Sequence, residues 1–139
     1  IAQEYGAAVL QRPAPLADDA IGTPEVMRHH ATTFQFRNVS YLCCIYPCAP
    51  LMTAEDLHTG LTELKNYCAN FAFGFADDPL RDSGSFYWGK TSAFASGDSW
   101  FGTDTLMIQI PHERACDIND ERDWVRAELL YAALRKNAA

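Results

Sequence analysis

Several short stretches of the chain carry residue types that could do chemistry. Gly84-Ser-Phe-Tyr-Trp-Gly89-Lys90-Thr91 fits G-x-x-x-x-G-K-S/T, the phosphate loop. That loop works because small residues let successive backbone N–H groups curl round a phosphate, between a buried strand and a helix start. Here Phe86, Tyr87 and Trp88 crowd the curl, the polar run Asp77–Asp82 precedes it, and Ser92–Gly97 makes a poor helix. The segment therefore reads as a strand. Gly97-Asp98-Ser99 resembles the nucleophile motif of some serine esterases, but it lies late in the chain and His112 has no Asp three residues before it. Ser96-Gly-Asp-Ser99 reads as a turn.

Thiols and imidazoles are the next candidates. Cys44 and Cys48 are four apart, as are His112 and Cys116, and His29 and His30 are adjacent. Zinc needs four converging ligands, and Cys43 and Cys44 on a strand would point to opposite faces. The expectation is buried thiols, a solvated histidine pair, no metal and no cofactor. Five cysteines is an odd number for a disulfide framework, so reduced thiols packed as small apolar groups are expected. The carboxylates Asp77, Asp78, Asp82, Asp98, Asp104, Asp117 and Asp120 all fit turn and helix-start chemistry, and none pairs with another as general acid and base. No catalytic residue is assigned.

Composition sets the frame for these elements. The chain has 139 residues, is 48% hydrophobic and 12% aromatic, and carries a formal charge of −7. That suits one globular domain over 1–139 and excludes a disordered tail. A pI near 4.9 argues against nucleic acid as the partner, which would need clustered Lys and Arg. No apolar run is long enough for a membrane span.

Residues 1–25, with Arg12-Pro-Ala-Pro15 and Gly22-Thr-Pro24, read as an extended N-terminal arm. Strands are expected at about 32–46, where Phe34 and Phe36 alternate with polar residues, at about 84–95, and at about 104–110. Helices are expected at about 54–72, begun by a Thr53/Asp56 capping box, and at about 119–136. Leu57, Leu61, Leu64, Cys68 and Phe71 would form the first helix's buried stripe, with Gly60 opposite. Trp124, Ala127, Leu130, Tyr131 and Leu134 would form the second's. The class is α+β: an antiparallel or mixed sheet, with a hairpin joining the later strands and helices on one face.

One covered face leaves aromatic rings over. Tyr87, Trp88, Trp100 and Phe101 flank the expected hairpin and are the candidate partner-binding residues. The element order over 32–136 is similar to that of type III secretion chaperones and of small virion neck or tail-terminator proteins, in order alone. The function expected from these observations is a non-catalytic binding or assembly subunit that meets copies of itself or a larger protein. The alternative is a small enzyme or ligand-binding domain with a pocket between sheet and helices using Cys44, His112 or Asp104.

Overall fold

The computed structural model describes residues 1–33, 38–77 and 80–137. Two short 3-10 turns, Ala2–Tyr5 and Ala14–Leu16, lead into α1 (Thr23–Thr32). Then come β1 (Tyr41–Ile45), α2 (Ala54–Asn66), β2 (Phe71–Asp77), β3 (Leu80–Lys90), α3 (Thr91–Ser96), β4 (Thr105–Gln109) and α4 (Glu121–Asn137). The four strands form one mixed sheet in the order β1-β3-β2-β4, with β1 and β2 antiparallel to β3 and β4 parallel to β2. This is the expected α+β class with a mixed sheet and helices packed against it.

The elements depart from expectation in instructive places. The expected arm of residues 1–25 ends early, because Thr23 already opens the helix that runs to Thr32: Pro24 sits in the first turn, where its missing N–H removes no bond, and Val26, Met27 and Ala31 are buried. The strand expected from residue 32 is Tyr41–Ile45, and its Phe34/Phe36 alternation lies outside the described residues. The helix expected to reach 72 stops at Asn66, and Cys68 takes a positive φ of 55° before β2 begins. The strand expected to reach 95 ends at Lys90, because Ala93 and Phe94 bury themselves as the helix α3. Gly97 closes that helix in the left-handed conformation, in keeping with the turn expected there. Of the stretch that fits the phosphate-loop pattern, Phe86–Lys90 is paired strand and Thr91 opens α3, so its aromatic residues lie along the sheet and not in a loop curled round an anion. The expected hairpin between the later strands is absent, since β2 lies between β3 and β4.

Strand alternation sends side chains to two cores. Phe71, Phe73 and Tyr87 meet Met27 and Ala31 of α1, Ala93 and Phe94 of α3, and Trp100. Ala72, Ala76 and Phe86 meet Leu64 of α2, Ile108 and Ile110. Helices thus cover both faces, not one. On α4 only Ala127 of the expected stripe is fully buried, against Leu51 and Cys116, whereas Trp124 and Tyr131 are exposed. No helix among the described residues is long and apolar enough to cross a membrane.

Candidate functional site

The most irregular point of the sheet gathers polar groups. Between the pairs Phe73↔Tyr87 and Phe75↔Asp82, two residue steps on β2 face five on β3. The surplus makes a bulge over Ser83–Ser85, a device that re-aims side chains. Asp82 closes it from below: Oδ1 accepts from the Gly84 N–H at 3.0 Å, and Oδ2 accepts from the Tyr87 hydroxyl at 2.5 Å. The Ser83 and Ser85 hydroxyls share a buried hydrogen bond of 2.6 Å. Gly84 has φ +63°, a conformation that glycine adopts without strain.

Asp117, in the segment after β4, lies directly over that glycine. A Cβ on Gly84 would come within 2.6 Å of the Asp117 carboxyl carbon and of Oδ2. Asn119 Nδ2 donates to Asp117 Oδ2 at 3.0 Å, while Oδ1 is buried with no hydrogen-bond partner. An unsatisfied buried carboxylate oxygen is rare and favours a cation or proton donor beside it. The Ile118 N–H donates to the Cys48 carbonyl at 2.9 Å, tying this segment to the chain beyond β1. Burial, and then the hydrogen-bonding and charge of the neighbouring Asp117 carboxylate, push the Cys48 thiol pKa upward. Burial, then the Asp82 hydrogen bond and the charges of Asp82 and Asp117, push the Tyr87 phenol far upward. Tyr87 packs on Tyr46 with ring centres 5.3 Å apart, and the Tyr46 hydroxyl donates to Thr23 Oγ1 at 2.7 Å, at the start of α1. Arg81 donates to the Ala115 carbonyl at 3.1 Å, two residues before Asp117. β3, the residues that follow β1, the start of α1 and the 115–119 segment therefore converge on one polar patch with two carboxylates.

The residues singled out from sequence lie elsewhere, apart from Tyr87. Cys44 is on the edge strand β1, while Asp104 and His112 flank β4 on the opposite edge, three strand spacings or roughly 14 Å away. They form no common site. Tyr87 and Trp100 are buried in the chain's own core, Trp88 is half-buried with its indole N–H on the Leu57 carbonyl at 2.9 Å, and Phe101 alone is exposed, at 58%. Asp82 and Asp117, assigned from sequence to turn chemistry, both approach Gly84. A glycine inside a strand pattern two residues after an aspartate is the local sign of such a bulge. The partner segment 35 residues on had no such sign. Among the described residues no group of three or more His, Cys, Asp or Glu could hold a metal by itself.

No protein-family model matches the chain. It is 22% identical, over 99% of its length and 75% of theirs, to the pseudaminic acid cytidylyltransferases of Campylobacter jejuni subsp. jejuni serotypes O:2 and O:23/36. Over 58% of its length it is 33% identical to 17% of a Helicobacter pylori protein, named pseudaminic acid cytidylyltransferase and UDP-2,4-diacetamido-2,4,6-trideoxy-beta-L-altropyranose hydrolase. Relatives that span nearly the whole chain and are named for an enzymatic activity contradict the expected non-catalytic adaptor or assembly subunit. The virion- or secretion-associated role drawn from element order falls with it.

Proposed function

We propose that the chain is a nucleotidyltransferase that moves a cytidylyl group from CTP to a hydroxyl of an acidic sugar. The observation that carries this reading is the similarity to two cytidylyltransferases along 99% of the chain. In such a transfer the acceptor oxygen attacks the α-phosphorus, the bond to the bridging oxygen breaks, and pyrophosphate leaves with the electron pair. The acceptor's proton passes to a base or to water.

The Asp117 patch supports this chemistry. CTP enters as its magnesium complex, and magnesium needs only one or two carboxylates because it keeps waters and phosphate oxygens around it. Asp117, with a buried free oxygen, would be the protein's anchor for that nucleotide-borne ion. Gly84 leaves the space, and Asn119 orients the carboxyl. The Tyr46 and Tyr87 rings give the patch a firm wall.

Ligand-induced stabilisation tests the reading. CTP with magnesium, at a hundredfold excess over its Kd, should raise stability by about 2.7 kcal/mol. The shift in Tm should be lost in Asp117→Asn. Equal shifts with ATP and GTP, or none with CTP, would contradict it.

A further inference from the structure

We infer that Asp82 is a positioning residue, the latch that keeps the β3 bulge in the shape Asp117 requires; this rests on the transferase reading above. The bulge residues have left the ladder with β2, since two steps on β2 face five on β3, while the Ser85 carbonyl still accepts from the Tyr46 N–H at 2.9 Å on the β1 side. Among the described contacts, what ties Gly84 to the rest of the strand is Asp82, whose Oδ1 accepts from the Gly84 N–H at 3.0 Å. The other oxygen, Oδ2, is fastened to the Tyr87 hydroxyl at 2.5 Å.

Tyr87 is a rigid anchor. It is 6% exposed, its ring lies 5.2 Å from Trp100 and 5.3 Å from Tyr46, and its backbone is in register with both Cys44 and Phe73. Asp82 thus joins Gly84, which has no ladder pairing between the buried Ser83 and Ser85, to a residue packed on every side. Gly84 in turn supports Asp117 at van der Waals limits: even one added methyl would lie 2.6 Å from the carboxyl. A shift of the bulge moves the surface on which the catalytic candidate rests. A misplacement of about 1 Å can reduce a rate by about a hundredfold.

The test has a kinetic and a structural arm on the full chain. Pyrophosphate release from CTP is measured for wild type, Asp82→Ala, Asp82→Asn, Tyr87→Phe, Asp117→Asn and the Asp82→Ala/Asp117→Asn double variant. Amide exchange at Gly84 is followed by NMR in the same proteins. Asp82→Ala should speed Gly84 exchange and lower kcat, each by about tenfold, with the KM for CTP little changed. Asp82→Asn, which keeps an acceptor for Gly84, should restore most of both. In the double variant the Asp82 change should have no further effect on rate, because it acts through Asp117. Unchanged Gly84 exchange in Asp82→Ala, or a full additional loss of rate in the double variant, overturns the inference. Should Asp82→Ala not fold, Tyr87→Phe carries the same comparison, since it removes one arm of the latch. If wild type releases no pyrophosphate, the transferase reading fails, and Gly84 exchange still decides the latch.

Discussion

Asp56 is a carboxylate with little access to water, and its neighbours explain why it can stay charged. The Arg114 guanidinium meets it with both terminal nitrogens, Nη2 donating to Oδ1 at 2.9 Å, and the Thr53 N–H donates to Oδ2 at 2.8 Å. Burial alone would raise its pKa, but Arg114 and the Thr53 backbone and hydroxyl outweigh burial and hold it below the usual carboxylate range. A depressed folded-state pKa contributes stability above the unfolded value of about 3.9, and that stability is lost as pH falls through the folded value. The pair should therefore help fully at pH 7 and progressively less below about pH 4. Arg114 keeps 20% of its side chain exposed, so Arg114→Ala should destabilise by about 2 kcal/mol at pH 7, less than the loss of a fully buried partner. Urea unfolding at pH 7 and pH 3 checks both statements: the gap between wild type and variant should narrow in acid. The Thr53/Asp56 capping box was legible in the sequence because its members are three residues apart. Arg114 was not, because no local pattern links it to a helix start 58 residues earlier.

At the scale of elements, α2 shows where periodicity misleads. Leu57, Leu61 and Leu64 predict a stripe with Gly60 outside it, yet Gly60 is buried against β3. A Cβ there would lie 2.8 Å from Phe86 Cε2 and 2.9 Å from Trp88 Cδ1. Gly60→Ala should therefore destabilise by about 1–2 kcal/mol even after the gain of up to about 1 kcal/mol from helix propensity. A thermal unfolding curve decides the sign, and a stabilised variant would show that the rings move aside. In the sequence the same stripe runs on through Cys68 to Phe71 only because spacings of 3 and 4 residues cross the helix end. Phe71, Phe73 and Phe75 alternate with small residues, which is the period of β2. β4 was legible in full, since Leu106, Ile108 and Ile110 alternate and Pro111 follows. α3 was not legible, because burial of Ala93 and Phe94 overrides a poor local helix preference.

For the whole molecule, helices on both faces of the sheet change what the aromatic residues mean. Tyr87 and Trp100 lie in a core that a single helix layer would not have provided, so the surplus of rings that suggested an assembly role is largely internal. A net charge of −7 is no obstacle to one nucleotide, whose phosphates need only a local cation and a few donors. A small enzyme was among the sequence's readings, but this site was not legible: its carboxylates come from β3 and from the segment after β4, each explicable alone as turn chemistry. The five cysteines are all free thiols. Burial pushes Cys43 up to about 12 and Cys44 to about 11, so both should resist a thiol reagent at pH 8 while exposed Cys68 reacts first. Denaturation should release all five to the reagent, which mass spectrometry of labelled peptides would show. The central claim is nucleotidyl transfer, and 31P NMR of the full chain with CTP, magnesium and an acidic sugar tests it most directly. Pyrophosphate and a cytidylyl-sugar should appear in equal amounts, at a rate about a hundredfold lower in Asp117→Asn. CTP left intact by wild type, or turnover undiminished without the Asp117 carboxylate, would contradict it.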